Sequence, residues 1–307
     1  MDGRGVPVTL VDMGNNLPSP GGTLPGTDAS IFVEVTGATQ DTLIDGMRYL
    51  LERFTALGSV GINYRLLGKA QAKLNGLPIS SCINGSSSAS ATETMSYIEN
   101  ELLSSFPMVS MVWGNGKYGP VVTDRRDGYF CANLEVGTFP LFDRISDVQE
   151  SPKSSCYNSF TLRYNYDSLE DNFAKAITID ESNSVLCQVS RMQMGNRPLS
   201  PIDSLTIQND NIAAYVIEWL VQHMSFPSYY VEYQGAVWLF FNLDVGDNIR
   251  LTDPDFGWVE QVATVEKLEY QRGICTVGFR VWWRYYDLSG SSSTIFSYPT
   301  PEPTDVT

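Results

Sequence analysis

The sequence has a single histidine, His223, and few cations: 20 Lys plus Arg against 35 Asp plus Glu in 307 residues, a formal charge of −15. With one histidine, any Ser–His or Cys–His catalytic pair must use His223. That residue sits in an apolar stretch with helical spacing, where a packed side chain is the first reading. The shortage of cations argues against a surface that grips nucleic acid or an anionic membrane, since both need Lys and Arg against phosphate. Cysteines stand at 82, 131, 156, 187 and 275, an odd number with no C-x-x-C spacing. Free thiols in a reducing cytoplasm fit that pattern, and with one histidine they offer no zinc-ligand spacing. No run approaches the roughly 18 apolar residues of a membrane helix. The N-terminal MDGRGVPVTLVDMG lacks the apolar core of a signal peptide. G-x-S-x-G, H-E-x-x-H and P-loop motifs are all missing. No catalytic, cofactor-binding or metal-ligating residue is therefore expected.

What is present is a globular composition: 43% hydrophobic and 18% charged residues, over a length that can hold two packed domains. Aromatics at 12% suit strands, whose pleated surface accepts flat rings. The expected fold class is α+β, mainly β: antiparallel β-sandwich or barrel domains, each with a flanking helix. Residues 1–29, with LPSPGGTLPG, read as an extended arm that is apolar enough at Val6–Val11 for one short strand. An α+β domain follows over 30–150. It has a strand at Ile31–Val35, helices at Asp41–Leu57 and Ser90–Phe106, and a hairpin of Met108–Trp113 and Tyr118–Thr123 around Gly-Asn-Gly-Lys. Phe130–Val136 is a further strand, and Tyr64–Lys73 fits either state. Polar residues and Pro152 within 143–155 mark a soft boundary.

The second domain is expected over 151–286, with strand patterns at Phe160–Tyr166, Phe173–Ile179, Val185–Arg191 and Ile202–Ile207. Its centre is a helix over 210–226, with Asp210 as N-cap, Ile212, Val216, Trp219, Leu220 and Met224 on one face, and Pro227 as its stop. Strands follow at Tyr229–Tyr233, at Val237–Leu243 and at Ile249–Leu251. Two longer runs, Trp258–Tyr270 and Ile274–Arg284, are joined at Gln271-Arg272-Gly273. One helix lying on an antiparallel sheet is the physical content. The end, 287–307, is Ser- and Pro-rich and reads as an extended tail.

Charge is unevenly placed. From Asp203 to Glu269 there are eleven Asp or Glu against only Arg250 and Lys267. A solvated acidic face suffices to explain this. Asp244, Asp247, Asp253 and Asp255 lack the spacing and closing Glu of a calcium loop and read as turn formers. Arg125-Arg126 in VVTDRRDG reads as a surface turn in preference to a phosphate site.

A helix ending in Phe-Pro, then a strand, then GDNIRLTDPDFGW resembles the last domain of the tail hub proteins of long-tailed bacteriophages. The likeness covers roughly 150–284 and rests on the order of elements. It implies tube-type β domains in a homotrimeric ring at the tail tip, in the virion. The ring would end the tail tube, meet the distal tail ring, tape measure and fibres or other tip proteins, and let DNA pass without binding it. On that reading Asp244, Asp247, Asp253, Asp255, Glu260, Glu266 and Glu269 are expected to face a central pore, where carboxylates repel phosphate. The alternatives are a tail-associated cell-wall hydrolase using paired carboxylates and a receptor- or glycan-binding tail module using the aromatic C-terminal half.

Overall fold

The computed structural model describes residues 42–282 apart from short breaks, the longest being 75–94, and outside that span only the pairs 9–10, 33–34 and 302–303. The first half holds helices α1 (Leu43–Phe54) and α2 (Tyr64–Leu74) and strands β1 (Val109–Gly114), β2 (Lys117–Val122) and β3 (Ala132–Glu135). The second holds β4 (Phe160–Asp167), β5 (Asn172–Ile179), α3 (Val185–Met194), α4 (Asp210–Met224), β6 (Ser228–Ala236), β7 (Asn248–Asp253), β8 (Trp258–Gln271) and β9 (Ile274–Trp282). The chain is α+β and mainly β, as its composition predicts. Outside the main body, Thr9–Leu10 pairs with Val33–Glu34, and Glu302–Pro303 with Lys175–Ala176.

Two cores form, and each draws on residues from both sides of 143–155. The first packs α1, α2 and the β1–β2 hairpin with β4, β5, α3 and α4. Thr42 caps α1, and Leu43, Ile44, Met47, Leu50 and Leu51 turn inward at helical spacing. Tyr64–Lys73, open to either state in the sequence, is helix. The second expected helix is described from Met95, and its end is irregular: a π-turn at Ile98–Leu102 runs into a 3-10 turn at Leu103–Ser105. Residues 90–94 of that expectation lie outside the described residues.

The second core lies inside a curled seven-stranded sheet. Its order is β3, β7, β8, β9, β6 and Asp143–Arg144, with Gln149–Glu150 also pairing with β6. Pairing is antiparallel except between β3 and β7. Val231, Tyr233, Ala263, Val265, Val277, Phe279 and Val281 alternate along the inner face and are all buried. Phe142, Phe240 and Leu243 close it.

Four expectations are corrected. Val185–Arg191 is helix, not strand: Ser184 caps it, Gly195 ends it at φ +78°, and Leu186, Cys187 and Ser190 are buried at helical spacing. Val237–Leu243 is a 3-10 turn at Val237–Leu239 and a bend, because the Phe240 ring folds back over Gly235, where any Cβ would meet it. Ile202–Ile207 pairs only at Ile202–Asp203 before the Ser204 hydroxyl takes the Ile207 amide and turns the chain. The cap of α4 is Asn209, which accepts from the Asn211 amide at 2.8 Å, while Asp210 pairs with Lys175 and the Tyr164 hydroxyl. Moreover, α4 packs mainly on the β4–β5 hairpin, and only its C-terminal turn reaches the large sheet.

Candidate functional site: a polar seam between the two cores

The most organised group of polar side chains lies where the cores meet. Asp124, just past β2, is 5% exposed. It accepts from Arg126 Nε at 2.9 Å, from Arg126 Nη2 at 2.7 Å and from the Tyr215 hydroxyl at 2.8 Å. The guanidinium lies 4.2 Å from the Tyr215 ring centroid and 3.6 Å from Glu218, both on α4. Burial pushes the Asp124 carboxyl up, but its bonds to Arg126 and Tyr215 outweigh that and hold it below the usual carboxylate range. Residues 125–126 do form a turn, but the Arg126 side chain does not stand free at the surface. The Arg126 side chain is only 16% exposed, because α4, distant in sequence, closes over it.

From this ion pair a circuit of hydrogen bonds runs into the sheet. Trp219 Nε1 donates to Thr123 O at 2.7 Å, and the Arg125 amide donates to His223 Nε2 at 3.1 Å. Because Nε2 accepts, Nδ1 carries the proton and donates to Trp219 O at 2.9 Å. The imidazole stacks on Trp219 at 4.2 Å and meets Trp282 edge-on at 4.8 Å. Trp282 Nε1 donates to the Thr264 hydroxyl, which donates to Asn248 Oδ1; Asn248 Nδ2 then donates to Asp124 O at 2.7 Å. His223 thus has a packing role. Asn248 and Thr264 were missed in the sequence; their one signal is being polar within strands otherwise rich in apolar residues.

A second set of bonds crosses from α2. Arg65 Nε reaches Asp244 at 2.9 Å, and Lys69 Nζ pairs with Asp244 and, at 2.7 Å, with Asp247. Lys73 Nζ donates to Val122 O and Gly246 O. Gly246, at φ +88°, presses so close to Val121 that a Cβ would collide with it.

The seven acidic candidates do not act as one group. Asp247 and Asp253 are 3% and 0% exposed and turn inward, so neither can line a passage. Asp253 accepts from the Tyr233 hydroxyl at 2.6 Å and caps the Pro254–Phe256 turn. Asp244 is held by α2. Asp255 and Glu260 are exposed at the start of β8, near Arg144 and Arg250. Glu266 and Glu269 lie on the uncovered part of the sheet's outer face, with Glu232, Lys267 and Arg280. That part carries three carboxylates against two cations, so its net charge is mild. Among the described residues no group of three or more His, Cys, Asp or Glu is placed to hold a metal, and no helix is long and apolar enough to cross a membrane. Cys131, Cys156, Cys187 and Cys275 are free thiols, and burial pushes Cys187 up to about 11.

The seam predicts acid sensitivity. Burial lowers the His223 pKa from 6.5 to about 3, with the nearby Arg125 charge adding to the effect. The unfolded chain therefore binds a proton that the folded chain refuses between those values. Stability contributed by neutral His223 is complete above about pH 6.5 and is lost as pH falls toward 3. Urea denaturation across that window should show a loss of roughly 2–4 kcal/mol, and H223Q should flatten the part above pH 4.

No protein-family model matches the chain, and no curated protein matches it in sequence. Among solved structures it is similar to a chain in the virion of a native gene transfer agent particle, at 14% identity and a TM-score of 0.41, over 65% of this chain and 40% of that one. It is similar to a prophage tail protein from Listeria monocytogenes EGD-e at 12% identity and 0.33, over 58% and 50%. A tail protein from Neisseria meningitidis MC58 gives 11% and 0.39, over 80% and 67%. These neighbours are phage tail or virion proteins, each likeness is loose, and the chain spans half or less of the length of the first two.

Proposed function

We propose that this chain is a structural protein of a phage tail, a protomer of the hub ring at the tail tip where the tube ends and DNA leaves. The observation that best supports the reading is the order of elements from Asp210 to Trp282. Helix α4 is followed by Phe226-Pro227, then β6, the Gly246-Asp247 turn, β7 with its Leu-Thr-Asp, and the long β8–β9 hairpin. That is the order on which the resemblance to tail hub proteins rests. The buried ionisable groups Asp124, His223, Asp247 and Asp253 are each bound by protein partners, as suits a body that holds shape and leaves no group poised for reaction.

On this reading three copies close a ring that meets the distal tail ring, the tape measure and the fibres or other tip proteins. Glu266 and Glu269 face the passage, where lysines would hold phosphates and release counterions. Electron microscopy of purified assemblies or particles should show a three-fold ring with a hole of at least ~20 Å, the width a duplex requires. A ring that turns Glu266 and Glu269 to its outer wall would reject their role. Fragments released from peptidoglycan by the purified protein would reject the structural reading in favour of a hydrolase.

A further inference from the structure

The longest strand, β8, has apolar, exposed residues at both ends. At one end the β8–β9 hairpin brings Tyr270 and Ile274 (52% and 40% exposed) beside Trp238 and Phe241 (63% and 72% exposed). These four are neighbours: Ile274 pairs with Ala236, the Val237 amide donates to Gly273 O at 3.2 Å, and the Tyr270 hydroxyl donates to Phe240 O at 3.3 Å. Their exposed parts come to roughly 400–500 Å², near the upper limit for the largest apolar patch on a monomer. At the other end, about 35 Å along the strand, Phe256 and Val259 are 40% and 60% exposed, and the Phe256 ring packs tilted against Trp258, centroids 4.8 Å apart.

The two ends also differ in how their charges are paired. Arg272, at the tip of the hairpin, is exposed and has no ion-pair partner among the described residues. Asp255 and Glu260, at the far end, have side chains 71% and 64% exposed and lie 3.2 Å from Arg144 and 3.5 Å from Arg250, so each keeps a solvated face open to a further cation.

We infer that these two ends meet between copies of the chain. The Trp238, Phe241, Tyr270 and Ile274 end of one protomer docks on the Phe256 and Val259 end of the next, with Arg272 facing Asp255 and Glu260. Pairing the aromatic end with itself across a two-fold axis would instead set Arg272 against Arg272. Apolar atoms supply roughly 60% of an interface, so the apolar area of the two ends scales to about 1,000 Å² in total, the lower bound for a specific contact. Because the two surfaces differ, the contact is heterologous and passes from copy to copy until it closes or runs on. The inference deepens the ring reading and rests on it only for closure.

Two variants test it. Phe241→Asp spoils only the first end and Val259→Arg only the second, and both sites are exposed enough for the fold to survive, as circular dichroism would check. Native mass spectrometry and sedimentation should find the wild type associated. Each variant alone should be monomeric, its dissociation constant weakened about 30-fold or more. An equimolar mixture should give heterodimers and nothing larger, since only one pair of intact ends remains. Self-association of Val259→Arg, a mixture that stays monomeric, or a wild type that is monomeric up to ~100 µM would overturn the inference. A three-fold ring indifferent to both variants would also overturn it and leave the hub reading standing. Open chains broken by both variants would support the contact and sink the ring.

Discussion

Asp124→Ala should lower the free energy of unfolding by about 3–5 kcal/mol, the cost of stranding one partner of a buried ion pair. The substitution leaves the Arg126 guanidinium enclosed by Tyr215 and Glu218 without its bidentate carboxylate, and removes the acceptor of the Tyr215 hydroxyl. Arg126→Met should cost a similar amount for the converse reason. The double variant should cost clearly less than the sum, because the second change removes the charge that the first left unpaired; a coupling of at least ~1 kcal/mol is expected. Urea denaturation with linear extrapolation reads all three. The shape of the transition is also informative. The seam joins the two cores, so the wild type should unfold in one step and Asp124→Ala should separate the transitions. Single-variant costs below ~1 kcal/mol would mean that the apolar contacts alone unite the cores.

The sequence revealed which elements exist better than what they meet. The period of Ile212, Val216, Trp219 and Leu220 identifies a helix and its apolar face, and both are found. Nothing in that period says that the face meets β4 and β5, because the partner strands lie some 35–50 residues earlier in the chain. The misread helix α3 has a similar cause. Val185 and Val189 favour strand by propensity, and only the Ser184 cap and the Gly195 stop argue otherwise. The seam was least legible. His223 was rightly read as a core residue, but Asp124 and Arg126 looked like a turn because their burial depends on Tyr215 folding over them. A charged pair next to apolar VV was the available signal, and such a pair is equally common on surfaces.

Asp253→Ala and Asp255→Ala, two residues apart and equally acidic in the sequence, should behave as opposites. Asp253 is fully buried. Its carboxylate takes the hydroxyl of Tyr233, itself 0% exposed, lies 3.4 Å from Arg144, and accepts the Asp255 amide that opens the next turn. Removing it leaves a buried hydroxyl unbonded and a turn uncapped, which together should cost about 3 kcal/mol. Asp253→Asn retains a side-chain oxygen for the cap and should cost only about 1 kcal/mol. Asp255 is largely solvated, and its contact with Arg144 is a surface ion pair, so Asp255→Ala should fall within about 0.5 kcal/mol of wild type. Thermal and urea denaturation of the three variants measures this order directly. Had both carboxylates served only to repel DNA from a wall, neither substitution would disturb folding. A large loss confined to Asp253 therefore means that part of the chain's acidity is structural, set inside the sheet to hold Tyr233 and the turn before β8, and only the exposed remainder is free to act on the surroundings.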